Sequence, residues 1–267
     1  LRLARGELAS RDEALQRERV RAERAAGSAA LVHEVLPAEI ATALANERAV
    51  EPRYHQAITV GIACLVDYDR LAMSMPPAQL VQTLDAFVSA FDAAARERRL
   101  EKLRAVAGSY HFVAGLSEPR AHHPIEACLG AIALREAAAR INRARERREL
   151  APWPVRIGLH SGPVMSGVVG SWKRAFDVWG TGATVAARVE RAGEPGCITL
   201  SESTYQRVKE LFDCRPCGSI EHESTGSRPI YELARIAGAL SADAGGTTPN
   251  DRFFEAFSRR SGHASSR

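Results

Sequence analysis

Hydrophobic positions change period along the chain. Residues 1 to about 31 carry a thin seam, with Leu1, Leu8 and Leu15 seven apart and Arg, Glu and Ala elsewhere. That spacing predicts a charged helix, either a short parallel coiled coil or a solvated helix with no partner. Residues 32–56 read as a short helix opened by Pro37 and then a polar linker. From 57 to 236, short β-rich runs alternate with longer amphipathic stretches. Strands are expected near 57–65, 102–107, 109–115, 154–161, 164–170, 196–200, 212–217 and 229–234. Helices are expected near 77–98, 123–148, 181–192 and 202–210. The alternation predicts an α/β architecture, an α+β sandwich in which helices pack on one sheet. The region 237–267 is rich in Gly, Ser, Ala and Thr and reads as a disordered tail, with an apolar knot at Phe253, Phe254 and Phe257.

Composition narrows the function classes. The chain has 267 residues, a formal net charge of +4 and 45% hydrophobic residues. Arg is dispersed rather than clustered, which disfavours nucleic acid as a partner. No apolar run has the length of a membrane span. The five cysteines are scattered and no signal peptide is visible, so a reducing, cytoplasmic setting is expected. The chain opens on Leu, which reads as a piece of a longer protein that could be membrane-anchored.

Chemistry concentrates in ITVGIACLVDYDRL (58–71), an apolar strand running into an acidic turn. Asp67 and Asp69 could in principle hold a hard cation, or serve only as turn residues. Cys214 and Cys217 form a lone CxxC. In a strand their sulfurs would point to opposite faces, and a zinc site needs further ligands. His122, His123 and His160 read as structural.

Several segments together carry a resemblance. VRIGLHSGPVMSGVVG (155–170), AFDVWGTGATVAARVE (175–190), GEPGCITLSESTY (193–205) and MPPAQL (75–80) resemble, in order, the class III nucleotidyl cyclase catalytic domain. LVHEVLPAEI (31–40) is similar to the helical segment that often links these domains to an upstream sensor. The resemblance implies a ferredoxin-like βαββαβ fold and a site shared between two subunits. In that family two Asp residues hold two metal ions, which acidify the ribose 3′ hydroxyl and neutralise the α-phosphate. A Lys and an Asp read adenine, and an Asn and an Arg steady ribose and phosphates.

Carried onto this chain, the resemblance puts the first metal position on Cys64, twelve residues before Pro76, and the second on Gly108. Neither is a carboxylate. A thiol is a soft donor and a poor Mg²⁺ ligand. Asp67 and Asp69 fall in the turn that would approach the triphosphate. Lys102 and Asp177 fit the adenine-reading pair; the plain alternative is a solvent-side ion pair across the sheet. Thr184 stands where the family has Asn. Arg188 fits the phosphate Arg, or a helix-face Arg paired with Glu. The late phosphate Lys falls on Thr225, next to Glu223.

These losses imply a catalytically impaired or inactive cyclase-like domain, a dimeric signal-transduction module that could bind a purine nucleotide such as ATP. Alternatives are an active divergent adenylate cyclase using Asp67 or Asp69, a half-site subunit paired with an intact cyclase, and a pure protein-interaction scaffold. No cofactor is expected, and Mg²⁺ or Mn²⁺ only with residual activity.

Overall fold

A computed structural model describes residues 40, 42, 50–170, 174–222 and 226–263. The seam helix, Glu223 and Thr225 lie outside the described residues. The chain separates into two units, 1–51 and 52–267, and the account below concerns the second.

Its elements run β1 (Arg53–Leu65), α1 (Tyr68–Met73), α2 (Pro77–Glu97), β2 (Glu101–Val106), β3 (Ser109–Ala114), α3 (His123–Glu146) and β4 (Val155–Val169). They continue with β5 (Ala175–Trp179), α4 (Thr181–Ala192), β6 (Ile198–Ser201), α5 (Glu202–Val208), β7 (Phe212–His222), β8 (Gly226–Ile236) and α6 (Asp251–His263). The eight strands form one mixed sheet in the order β2-β3-β1-β4-β6-β8-β7, with β5 paired to β4. The expected α/β layering is therefore present.

Alternation along β1 builds two cores. Ala63 and Leu65 face α2 and α3, in a cluster with Phe87, Phe91, Phe112 and Trp153. Ile58, Val60 and Ile62 face the other way, toward Ala186 of α4. Helix α4 lies close on the sheet because residue 158 is glycine: a Cβ there would meet the Glu190 backbone.

Three expectations change. The two strands expected over 154–170 are one continuous strand, despite Pro163. Proline lacks an amide donor, and β1 shifts register opposite it, between His55 and Ile58. The acidic turn after β1 becomes a short helix, α1, entered through Asp67 in the left-handed region at φ 56°. The tail is not disordered over 237–263. Phe253 is fully buried and packs edge-on against Phe212, and Phe257 stands edge-on to His122. The preceding loop is gathered by the Asp243 carboxylate, which accepts from the backbone N–H of Thr247 and Thr248. Those bonds hold its pKa down at about 2. Polar side chains here make a closed turn rather than a solvated coil.

Candidate active site

β1 and β3 run antiparallel with Cys64 opposite Ser109, so positions 64 and 108 lie side by side at one end of the sheet. The Leu65 amide donates to the Gly108 carbonyl at 2.9 Å. The Ser109 hydroxyl donates to Cys64 Sγ at 3.4 Å, and burial raises the Cys64 thiol pKa. Ala107 and Gly108 make the turn between β2 and β3 with φ of 47° and 73°, the positive values that tight hairpins need. A Cβ added at Gly108 would lie 2.6 Å from Tyr68 Cδ2 and 2.9 Å from Tyr68 Cβ. The Tyr68 ring, itself edge-on to Trp153, fills the space a side chain at 108 would need.

These residues do not fit a hard divalent cation. The site offers a protonated thiol and no side chain at 108, and the cavity of about 310 Å³ beside Gly108 is walled by Val81, Leu84, Val88 and Phe91, with Asp85 the single carboxylate among its described lining residues. Asp67 is exposed and bonds Arg70 at 3.0 Å within its own turn. Asp69 sits exposed in the first turn of α1. Among the described residues no group of three or more His, Cys, Asp or Glu converges on a metal position.

Lys102 and Asp177 are not brought together. Lys102 Nζ donates to Asp92 of α2 at 2.8 Å and lies over the Tyr110 ring. Tyr110 donates to the same carboxylate at 2.7 Å, and burial, together with this bond, raises its own pKa. Asp177 instead pairs with the guanidinium of Arg104 and accepts from the Val178 amide at 2.9 Å. The cause is a β-bulge. β2 and β3 lose register between Lys102 and Arg104. Without it, residues 102 and 104 would share a face. With it, Lys102 lies opposite Phe112 on the α2 face, and Arg104 lies opposite His111 on the other. His111 pairs in turn with Ile62, so Arg104 and Cys64 share one side of the sheet. Burial and the Arg104 charge hold the His111 pKa near 4.

Arg104 is thus the residue sequence reasoning missed. A bulge has no reliable composition signal, and only the structure shows which of the two cations meets Asp177.

Thr184 and Arg188 lie one turn apart on α4. The Thr184 hydroxyl donates to the Gly180 carbonyl at 3.3 Å, and Arg188 donates to the Glu221 carbonyl at 2.9 Å. That second bond ties α4 to β7. Of the CxxC, Cys214 is half-buried, with burial and Asp213 raising its pKa to about 12, and Cys217 is exposed.

Comparison with known proteins gives the family. The profile of the Adenylate and Guanylate cyclase catalytic domain matches residues 50–234. An adenylate cyclase of Mycobacterium tuberculosis is 34% identical over 224 residues, 83% of this chain and 50% of that protein. A membrane guanylyl cyclase of Dictyostelium discoideum is 30% identical over 72% of this chain and 13% of its own length. The chain therefore spans half or less of these curated relatives. Among solved structures, the adenylyl cyclase CyaB from P. aeruginosa superposes with a TM-score of 0.66 at 20% identity, over 72% of this chain and 100% of that one. The catalytic core of a rhodopsin-guanylyl cyclase in complex with ATPαS gives 0.63 at 25% identity, over 68% and 97%. This chain belongs to the class III adenylate/guanylate cyclase catalytic-domain family.

Proposed function

We propose that this cyclase domain is catalytically silent and acts as a dimeric signal-relay module that holds a purine nucleotide without turning it over. One observation carries the reading: Cys64 and Gly108 lie side by side where the family's metal carboxylates are expected, with the Tyr68 ring packed on Gly108. Without two hard anions the metals have no anchor, the 3′ hydroxyl keeps its ordinary acidity, and the phosphates repel an attacking oxygen.

What survives supports binding. Asp177 accepts hydrogen bonds and Arg104 donates them, so together they match the amino group and ring nitrogen of a purine. Their ion pair is the resting form, which a base would open. Arg188 supplies a cation toward phosphate. Thr184 is shorter than Asn and offers fewer hydrogen bonds to a ribose. A homodimer is the natural setting, because the family's site draws on two subunits. A heterodimer with an intact cyclase would place Arg104, Asp177 and Arg188 against a partner's metals. An upstream sensor would drive the module.

Calorimetric titration with ATP and GTP, each with and without Mn²⁺, tests the reading. Metal-independent heat supports it. Heat only with Mn²⁺ would indicate replacement ligands and contradict it. No heat in any condition would remove the nucleotide and leave a scaffold.

A further inference from the structure

A second cavity, of about 440 Å³, opens between α4, α5 and the β7–β8 pair. Its described lining includes Val185 and Ile220 as apolar wall, His160 and Ser203 as polar floor, and Glu202 and Arg228. Thr184 and Arg188 are not among those lining residues.

Two features make this cavity unlike a chance groove. The first is the floor. His160 Nδ1 lies 2.9 Å from Ser201 Oγ, which is 3.1 Å from Thr204 Oγ1. Thr204 donates to Ser161 at 3.1 Å, Ser161 is 2.8 Å from Thr59, and Thr59 is 2.7 Å from His123 Nδ1. Ser201, Thr204, Ser161, Thr59 and His123 are all buried. Ser203 donates to the Ser161 carbonyl at 2.7 Å, so the floor is fixed from below. Buried polar side chains are costly unless each is satisfied, and a satisfied chain is rigid. Its polar groups therefore keep their places without a ligand, which lowers the ordering cost of binding one.

The second feature is the charge pattern. Arg228 and Glu202 stand 3.7 Å apart, beyond hydrogen-bond length, with side chains 48% and 37% exposed. Such a pair contributes little and opens easily. A plain anion would meet Glu202, and a plain cation would meet Arg228. A molecule carrying both charges would satisfy each partner with a charge-assisted hydrogen bond. The apolar wall would take its side chain, and the volume is that of an ordinary small-ligand site.

We infer that this cavity is a binding site for a small zwitterion of the α-amino-acid class, its carboxylate on Arg228, its ammonium on Glu202 and its side chain on Val185 and Ile220. The site does not depend on the nucleotide reading, because no residue proposed to hold the nucleotide is among its described lining residues.

The test is calorimetric titration of the full chain with L-leucine, with acetate and butylammonium as single-charge controls. Leucine should give saturable heat, the controls at least tenfold weaker binding. Arg228→Ala and Glu202→Gln should each lower leucine affinity at least tenfold. Both side chains are partly exposed, and unchanged thermal melts would show that the variants fold. Absence of leucine binding, acetate binding as tight as leucine, or binding unchanged in both variants would overturn the assignment. ATP titrations read the other site, so either proposal can fail alone.

Discussion

The Tyr68 ring lies against the α-carbon of Gly108, so closely that a Cβ there would fall 2.6 Å from Tyr68 Cδ2. A side chain thus occupies the space that a carboxylate at 108 would need. Gly108 also sits at φ 73°, which L side chains rarely adopt. Gly108→Asp should therefore cost about 1–3 kcal/mol, from strain and overpacking, and should restore no turnover. Adding Tyr68→Ala should recover the crowding component only. Urea melts of both variants check this.

The bulge at β2 separates two cations that sequence spacing would place together. Arg104→Ala should leave the Asp177 carboxylate, 14% exposed, without its ion-pair partner, at a cost of about 1–3 kcal/mol. It should also weaken ATP binding at least tenfold. Lys102→Ala removes a half-exposed pair with Asp92 and should cost less than about 1 kcal/mol, with nucleotide affinity unchanged within twofold. Titration of ATP into the two variants separates them.

Helix α6 is held by one fully buried ring. Phe253→Ala should destabilise the domain by about 3 kcal/mol, the cost of a cavity left by a buried Phe. Phe254→Ala, at an exposed ring, should fall within about 0.5 kcal/mol of the parent. Comparing the two urea midpoints checks the docking of the tail.

His123 is buried on Thr59 and its pKa is lowered to about 4 by burial and by Arg207 and His122. Its unfolded value is about 6.5. The unfolded chain then binds the extra proton between these values, so stability falls as pH drops from about 6.5 toward 4. The slope approaches about 1.4 kcal/mol per pH unit for this one group. His111, also near 4, adds in the same direction. Stability measured from pH 8 to 4 should be flat above about 6.5 and decline below it. His123→Gln should flatten part of that decline.

Much of the fold was legible because its signals are local. Pro77 at the start of α2, the Phe87 and Phe91 stripe, and the Ile58, Val60, Ile62 alternation each mark an element without tertiary information. The choice of positions 64 and 108 followed from the order of the motifs that carry the resemblance. The partner of Asp177 did not, since a bulge between residues 102 and 104 reverses a face and leaves composition unchanged. Tyr68 escaped notice because its role depends on a helix turn that Asp67 opens in a left-handed conformation. The tail misled because Gly, Ser and Thr can satisfy each other around one Asp, as Ser241, Thr247 and Thr248 do around Asp243.

The most direct test of the account is cyclic nucleotide formation by the purified chain, with ATP and with GTP, in Mg²⁺ and in Mn²⁺. The account predicts no product above background in all four conditions, at protein concentrations high enough to dimerise. Metal-dependent turnover that disappears in Asp67→Ala or Asp69→Ala would contradict it, and would show that the acidic turn has taken over the role that Cys64 and Gly108 cannot fill.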